Sequence, residues 1–177
     1  FENALVQYRA VLEKNELNAE AHNNLGLLYQ DKALYDEAIR EFRRATFIDP
    51  QYYNARNNLG VALLKSGKVD AAINEFKSIV AQDGRNIQAM TNLALAQKAA
   101  GRSEDARETL QQVLANSTGY APAHYNLALI HEEAGELVRA IEHYEKFLAA
   151  SGAENATTAA EVRRRVETLR AKLTPKD

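Results

Sequence analysis

Histidine can bind metals or transfer protons at neutral pH, so the four histidines of this chain are its first candidates for chemistry. Three of them, His124, His131 and His143, lie close together in the sequence. A zinc-binding helix needs a second histidine four residues after the first, with a glutamate between them. His131 is followed by Glu132 and Glu133, but by no histidine at that distance. The spacing therefore does not predict a zinc site.

Carboxylates, glycines and cysteines offer no other catalytic arrangement. Glu132 and Glu133 are neighbours, as are Glu104 and Asp105, and neighbouring side chains on a helix point in different directions. No glycine begins a glycine-rich run that ends in Lys and Ser or Thr and could hold a phosphate. Cysteine is absent, which excludes thiolate ligands and a cysteine nucleophile. We therefore predict that the chain is not an enzyme, binds no metal and needs no cofactor.

The charge balance also argues against some partners. The 22 basic and 24 acidic residues leave a net charge of −2, which does not attract a polyanion such as nucleic acid. The 177 residues hold no apolar run of the ~18 to 20 residues that a membrane-spanning helix needs. We expect a protein or peptide as the partner, with no nucleic acid and no membrane insertion.

The elements that would position any site repeat along the chain at a fixed interval. A triplet of Asn, Leu and a small residue recurs after every 34 residues. Its copies are Asn24-Leu25-Gly26, Asn58-Leu59-Gly60, Asn92-Leu93-Ala94 and Asn126-Leu127-Ala128. A fixed period of this length is typical of a stack of similar supersecondary units.

Further columns follow the same period and indicate how each unit folds. One column is always alanine, one holds a large apolar or aromatic residue, and one suits a turn. The alanines are Ala38, Ala72, Ala106 and Ala140, the large residues are Phe42, Phe76, Leu110 and Tyr144, and the turn residues are Ala33, Gly67, Gly101 and Gly135. Because two helices cross closely only where side chains are small, each unit is predicted to be helix, tight turn, helix. Asp36 and Asp70 are expected to begin the second helix of two units.

This pattern resembles the tetratricopeptide repeat, a 34-residue helical hairpin. The unit 19–52 matches the family best, through His22, Leu25, Gly26, Tyr29, Ala38, Phe42, Ala45 and Pro50. Later units depart more, with Ala94 and Ala128 in place of glycine. The resemblance implies an all-α, right-handed superhelical solenoid of antiparallel helix hairpins. In its register His22 and His124 occupy a packing position and His131 replaces a core tyrosine, so we expect all three to be packed or hydrogen-bonded.

The repeat register divides the chain into six segments. They are the second helix of an incomplete repeat at 1–18, full repeats at 19–52, 53–86, 87–120 and 121–154, and a capping helix with a tail at 155–177. The incomplete repeat indicates either a fragment of a longer array or a helix completed by another chain or an upstream segment. The last helix carries one apolar stripe, as a cap should: Val162, Val166, Leu169 and Leu173. Its basic run 163–165 is interpreted as a solvated face, with docking of an acidic partner as the alternative.

The first helices of successive tetratricopeptide hairpins line a concave groove that commonly binds peptides, and the resemblance implies the same here. The implied groove residues form an amide row, an apolar row and a set of neighbours. The amide row is Asn24, Asn58, Asn92 and Asn126, the apolar row is Leu27, Val61, Leu95 and Leu129, and the neighbours are Asn23, Asn57, Tyr125, Lys65 and Lys98. The amides could pair with the backbone of an extended segment of about eight or nine residues. Alternatively, they could tie neighbouring helices together.

These features predict a protein-interaction scaffold that binds a partner peptide or protein segment along the concave groove. A similar asparagine ladder is familiar in glycosyltransferases that act on nucleocytoplasmic Ser and Thr. One alternative is therefore a non-catalytic, substrate-recruiting arm of a larger enzyme such as a glycosyltransferase. The other is an architectural subunit that self-associates through the incomplete first repeat. The compartment stays open between the cytoplasm and the bacterial periplasm.

Overall fold

The computed structural model describes residues 1–152 and 156–173, and over these residues the chain is all helical, without a strand. The helices are α1 (Glu2–Lys14), α2 (Ala19–Asp31), α3 (Tyr35–Ile48), α4 (Tyr53–Lys65), α5 (Val69–Gln82), α6 (Ile87–Ala99), α7 (Ser103–Asn116), α8 (Ala121–Glu133), α9 (Leu137–Ala150) and α10 (Ala156–Leu173). The prediction of an all-α fold of helix hairpins is confirmed. The predicted boundary at 154 and 155 and the tail 174–177 lie outside the described residues.

The chain forms two compact units, residues 1–100 and residues 101–177. In the first unit, α1 to α5 each pack on the next helix along the chain, and the first helices α2, α4 and α6 also contact one another in sequence. In the second unit, α8 packs on α7 and α9, and α10 covers α9. The division falls inside the predicted repeat 87–120, between its two helices.

The tight turns inside the hairpins lie where the sequence predicts them. Gly67, Gly101 and Gly135 adopt positive φ angles of 78°, 76° and 76°, and Ala33 adopts 56°. This left-handed conformation closes a helix by pairing its last carbonyl groups, and glycine reaches it without the steric cost that a Cβ brings. The backbone N–H of Gly67, for example, donates to the Leu64 carbonyl at 3.1 Å. The turn column of the repeat is therefore confirmed.

Each hairpin is held by the alanine and large-residue columns that the period reveals. All four alanines of the first column are fully buried, and the four large residues are 0 to 1% exposed. In the first repeat the crossing is so close that a Cβ placed on Gly26 would lie 2.6 Å from Cε1 of Phe42. Gly60 meets Phe76 in the same way. Contacts this close require glycine, because a buried ring cannot yield the space.

Two predictions about helix ends need correction. Asp36 and Asp70 do not begin helices: α3 and α5 begin one residue earlier, at Tyr35 and Val69, which places both aspartates inside the first turn. There a carboxylate stabilises the helix through the helix dipole rather than through a cap hydrogen bond. Asp36 also accepts a hydrogen bond from Lys68 at 2.6 Å, and this contact lowers the pKa of its carboxyl.

The first and last helices, α1 and α10, differ in how many of their residues are buried. On α10, Val162, Val166 and Leu169 are 2 to 5% exposed, whereas Leu173, the fourth residue of the predicted stripe, is 46% exposed. Helix α1 contributes no buried residue, although the Phe1 ring meets the edge of Tyr29 at 6.4 Å between centroids. Self-association through this exposed helix stays a prediction. No described helix is both long and apolar enough to cross a bilayer.

Candidate functional site

The first helices of the repeats in the first unit carry amide side chains that bond from one repeat to the next. The Nδ2 group of Asn58, on α4, donates to Oδ1 of Asn23, on α2, at 3.0 Å. The Nδ2 group of Asn92, on α6, donates to Oδ1 of Asn57, on α4, at 2.8 Å. Two members of the predicted amide row, Asn58 and Asn92, are thus each paired with a predicted neighbour 35 residues earlier in the sequence. Such bonds between successive first helices are the contacts expected if the amides tie neighbouring helices together.

The amides still keep hydrogen-bonding capacity for a ligand. An asparagine side chain has two N–H donors and an oxygen that can accept twice, and each inter-repeat bond uses one of these groups. Asn24, Asn57 and Asn58 are only partly buried, whereas Asn23 and Asn92 are 5% and 9% exposed. The accessible capacity therefore lies mainly on the three partly buried amides, and the other two act as their supports.

Asn126 behaves differently from the other members of the amide row. Its Nδ2 group donates to the carbonyl of Pro122, one turn earlier in α8, at 2.8 Å. The residue 35 positions before it in the sequence is Thr91, whose hydroxyl donates to the Ile87 carbonyl of its own helix at 2.7 Å. The sequence motif alone does not distinguish Asn126 from Asn58 and Asn92, because all three occupy the same repeat position.

The predicted apolar row is used largely by the core. Leu27 and Val61 are partly buried and pack on the core of the first unit, and Leu129 does the same in the second unit. Leu95 alone of the four is exposed beyond a third of its surface, at 37%. Of the predicted row, Leu95 thus presents the largest exposed fraction for contact with a partner.

The remaining predicted groove residues lie at helix ends or in the second unit. Lys65 is exposed in the last turn of α4, and Lys98 is partly buried in the last turn of α6. The ring of Tyr125 meets Tyr144 at 6.2 Å and Phe147 at 5.3 Å, so much of it packs on the core. Its outer part lines a cavity of about 330 Å³.

Glu132 links three helices of the second unit, a role that the sequence does not reveal. It accepts hydrogen bonds from the Tyr144 hydroxyl at 2.8 Å and from Nε of Arg165 at 2.6 Å. Burial by itself would raise the pKa of Glu132, but these two hydrogen bonds outweigh burial and hold that pKa below its usual value. Burial raises the pKa of the Tyr144 phenol. One arginine of the basic run on α10 is therefore an internal tie, not only a solvated charge.

The three neighbouring histidines form a hydrogen-bonded and stacked cluster. Nε2 of His124 faces the Thr118 carbonyl at 2.9 Å, and its Nδ1 lies 3.1 Å from Nδ1 of His143. Because a carbonyl only accepts, a neutral His124 must carry its proton on Nε2 and accept at Nδ1 from His143. His131 stacks on His143 with centroids 5.3 Å apart, and its Nδ1 lies 2.6 Å from Glu136.

This environment disfavours a charged His143. Burial, followed by the nearby His124 and His131, lowers the pKa of His143 to about 4. The hydrogen bond from His131, followed by that from Arg139, lowers the pKa of Glu136. His22, His124 and His131 are at most 9% exposed and hydrogen-bonded, as the family register predicts. Among the described residues, no group of three or more potential ligands could hold a metal ion.

Two family models match this chain and together cover most of it, although the matched ranges do not coincide with the predicted repeat boundaries. One family model described as tetratricopeptide repeat matches residues 32–93 and 63–118, and a second with the same description matches residues 1–53 and 91–155. No curated protein sequence matches the chain.

Several solved structures have a similar fold. MamA from Desulfovibrio magneticus RS-1 is 20% identical, with a TM-score of 0.77 and coverage of 84% of each chain. PilF of Pseudomonas aeruginosa is 21% identical, with a TM-score of 0.75 and coverage of 95% of this chain and 83% of that one. YrrB, described as a TPR protein with an unusual peptide-binding site, is 21% identical, with a TM-score of 0.73 and coverage of 92% and 83%. At these identities the likeness concerns the fold.

Proposed function

Because the chain belongs to the tetratricopeptide repeat family, whose members are typically non-catalytic interaction scaffolds, we propose that it holds an extended segment of a partner protein along α2, α4 and α6. The observation that carries this proposal is the pair of hydrogen bonds between asparagine side chains that joins these three helices. The bonds fix the orientation of the amides before a ligand arrives. Preorganised polar groups lose little conformational entropy on binding.

The spacing of the amides fits a peptide backbone. Neighbouring packed helices lie about 8 to 10 Å apart, so the two steps from Asn24 on α2 past Asn58 on α4 to the exposed Leu95 on α6 span about 16 to 20 Å. An extended chain covers about 3.3 Å per residue, which gives a segment of five or six residues. An amide that both donates and accepts can pair with the backbone N–H and C=O of such a segment whatever its side chains are.

We expect the apolar contact with a partner segment to be confined to Leu95. Leu95 is the most exposed member of the apolar row, and it lies on α6 three residues beyond Asn92. Residues three apart on a helix share a face, so one apolar side chain of the partner can rest on Leu95 while the backbone meets the amides. With net hydrogen bonds of about 0.5 to 1.5 kcal/mol each, we expect micromolar, sequence-tolerant and transient binding. YrrB, a relative in fold, is itself described as having a peptide-binding site.

The test uses peptides selected from a displayed random library against the whole chain, with affinities measured by fluorescence anisotropy. Leu95→Lys should weaken the selected peptides about tenfold or more, because it replaces an apolar contact by a charge. Val138→Lys is the matched control, since Val138 is also an exposed aliphatic residue on a helix, at 58%. Equal affinities for both variants and the unaltered chain would overturn the placement of the groove. Thermal unfolding followed by circular dichroism verifies that each variant is folded.

A further inference from the structure

A second candidate surface lies on α3, the second helix of the first complete hairpin, and shares no residue with the proposed groove. A cavity of about 580 Å³ opens there, lined by His22, Arg40, Glu41, Arg43, Arg44 and Phe47. Five of these six residues belong to α3. Positions 40, 43, 44 and 47 follow the spacing of one helix face, so their side chains form a single strip.

The strip is cationic. Arg43 and Arg44 are exposed, and no acidic partner is described for either guanidinium. Arg40 reaches Glu37 only at 3.8 Å, with two thirds of its side chain exposed. Glu41 lies 2.7 Å from Nδ1 of His22 at the base of the cavity, and among the described residues no arginine of the strip forms an ion pair with it. The chain as a whole carries a net charge of −2, so this local cationic surface is not a consequence of a basic composition.

The strip also contains the most exposed large apolar side chain among the described residues. Phe47 is 76% exposed, whereas Phe42, five residues earlier on the same helix, is completely buried. An exposed phenyl ring gains nothing for the fold of the chain itself, but it can anchor a partner that covers it. The aliphatic stems of the arginines extend this apolar contact, while their charged heads stay at its rim.

Comparison between the repeats separates this strip from features that the fold needs. A residue needed for packing the hairpin recurs after 34 positions, as Ala38 and Phe42 do. The strip does not recur. The position of Arg40 holds Asn74, Glu108 and Glu142 in the later repeats, that of Arg43 holds Lys77, Gln111 and Glu145, that of Arg44 holds Ser78, Gln112 and Lys146, and that of Phe47 holds alanine each time. The combination of three arginines and a phenylalanine is specific to one repeat.

We propose that the strip Arg40, Arg43, Arg44 and Phe47 binds an acidic peptide segment of another protein that carries an apolar anchor residue. Arginine matches a carboxylate with two parallel hydrogen bonds, so Asp and Glu side chains are the complementary groups for the rim. The anchor residue covers Phe47. A shallow surface pocket lined by three arginines and a single aromatic ring fits a short segment better than a nucleic acid or a lipid surface, which would need a broad basic face.

The experiment selects peptides that require the strip. A displayed random library is depleted on a variant with Arg43→Glu and Arg44→Glu and is then selected on the unaltered chain. We expect the enriched peptides to combine Asp or Glu residues with a Leu, Ile, Phe or Trp. An enriched pool without acidic residues would overturn the proposal.

Affinities of one enriched peptide are then measured by fluorescence anisotropy. The Arg43→Glu, Arg44→Glu variant should bind at least about tenfold more weakly, and added salt should weaken binding to the unaltered chain. Arg163→Glu with Arg164→Glu is the matched control, because these arginines are also adjacent and exposed on a helix, and the reversal changes net charge equally. Similar losses in both double variants would show that only the net charge matters, and the site would be rejected.

The anchor has its own test. Phe47→Ala should lower the affinity of the enriched peptide. It should have little effect on the affinity of a second peptide in which the apolar anchor residue is replaced by alanine. Leu95→Lys should leave this peptide unaffected, so that failure of the groove and failure of the strip are distinguishable. Binding to phosphatidylserine vesicles is measured for the same variants. If the Arg43→Glu, Arg44→Glu change weakens vesicle binding more than it weakens peptide binding, the occupant is an anionic membrane and the proposal is overturned.

Discussion

Asn58 donates a side-chain hydrogen bond to Asn23 across 3.0 Å, joining the first helices of two successive repeats. Asn23 is only 5% exposed, so its amide oxygen has little access to water. Losing the donor would leave that oxygen poorly satisfied. The same atoms that orient the groove therefore also stabilise the contact between repeats.

We expect the Asn23 and Asn58 side chains to be energetically coupled. Asn58→Ala should lower the free energy of unfolding by about 1 to 2 kcal/mol, and the coupling energy from a double-mutant cycle with Asn23→Ala should be about 0.5 to 1.5 kcal/mol. Urea unfolding of the four proteins measures both. Asn126→Ala is the control, since its amide bonds within its own helix, and it should cost less. Additive effects of the two alanine substitutions would indicate that the bond contributes nothing and that the amides serve a ligand alone.

The crossing at Gly60 should not accept a methyl group. A Cβ there would lie 2.6 Å from Cε1 of the fully buried Phe76. Gly60→Ala should therefore destabilise the chain by about 1 to 3 kcal/mol, despite the better helix propensity of alanine. In a Phe76→Leu background, which mimics the later pair Ala94 and Leu110 in the sequence, the added cost should shrink. Denaturant unfolding provides both values.

Gly119→Ala is the matched control for this crossing, because no atom lies within 4 Å of a Cβ placed at Gly119. A Gly60→Ala variant as stable as this control would contradict the close crossing.

The histidine cluster should make the second unit sensitive to mild acid. His143 has a pKa lowered from 6.5 to about 4 in the folded chain, so between these values the unfolded chain binds a proton that the folded chain excludes. The contribution of His143 is complete above pH 6.5 and is lost as the pH falls toward 4. Because His143 is only partly buried, we expect a loss of about 1 to 2 kcal/mol rather than the full value of the shift.

The measurement is the difference in pH-dependent stability between the unaltered chain and His143→Gln, which removes the titrating ring. The charged and titratable groups near His143 are His124, His131, Lys146, Arg107, Glu108, Arg139 and Glu142, and the difference cancels most of their effects. Proton resonances of the His143 ring should titrate with a midpoint near 4. A midpoint near 6.5, the ordinary value, would contradict the cluster geometry.

Arg165 and Arg163 should differ although both lie exposed in one basic run. Arg165→Ala removes the 2.6 Å hydrogen bond that Nε of Arg165 donates to Glu132, which also accepts from Tyr144. Because half of the Arg165 side chain is exposed, the expected cost is modest, about 0.5 to 1 kcal/mol. Hydrogen exchange of α10 should accelerate in Arg165→Ala and stay unchanged in Arg163→Ala. Equal exchange in the two variants would show that Glu132 does not anchor the cap.

The architecture of the hairpins follows from local properties of the amino-acid sequence. The 34-residue period, the alanine column and the large-residue column predict helices, turns and the buried crossings, and the structure places Ala38 and Phe42 at 0% exposure. These features are readable because each depends on local properties: the size of a side chain, the conformational freedom of a turn residue and the period of a helix. The same residue types recur at the same positions of successive repeats, so the helices and turns predicted for one repeat support those predicted for the next.

Which polar side chains meet depends on how the helices pack and cannot be predicted from the repeat pattern. Asn58 and Asn126 occupy the same repeat position, yet one bonds to Asn23 on another helix and the other to a carbonyl of its own helix. Likewise Arg165 pairs with Glu132, which lies 33 residues away in the sequence. A hydrogen bond depends on distances of a few tenths of an ångström and on direction, and these follow from how two helices cross rather than from the residue types on either one. Residue type and spacing therefore predict the faces of the helices, whereas the choice of partner for each amide, imidazole and guanidinium arises only when the helices pack.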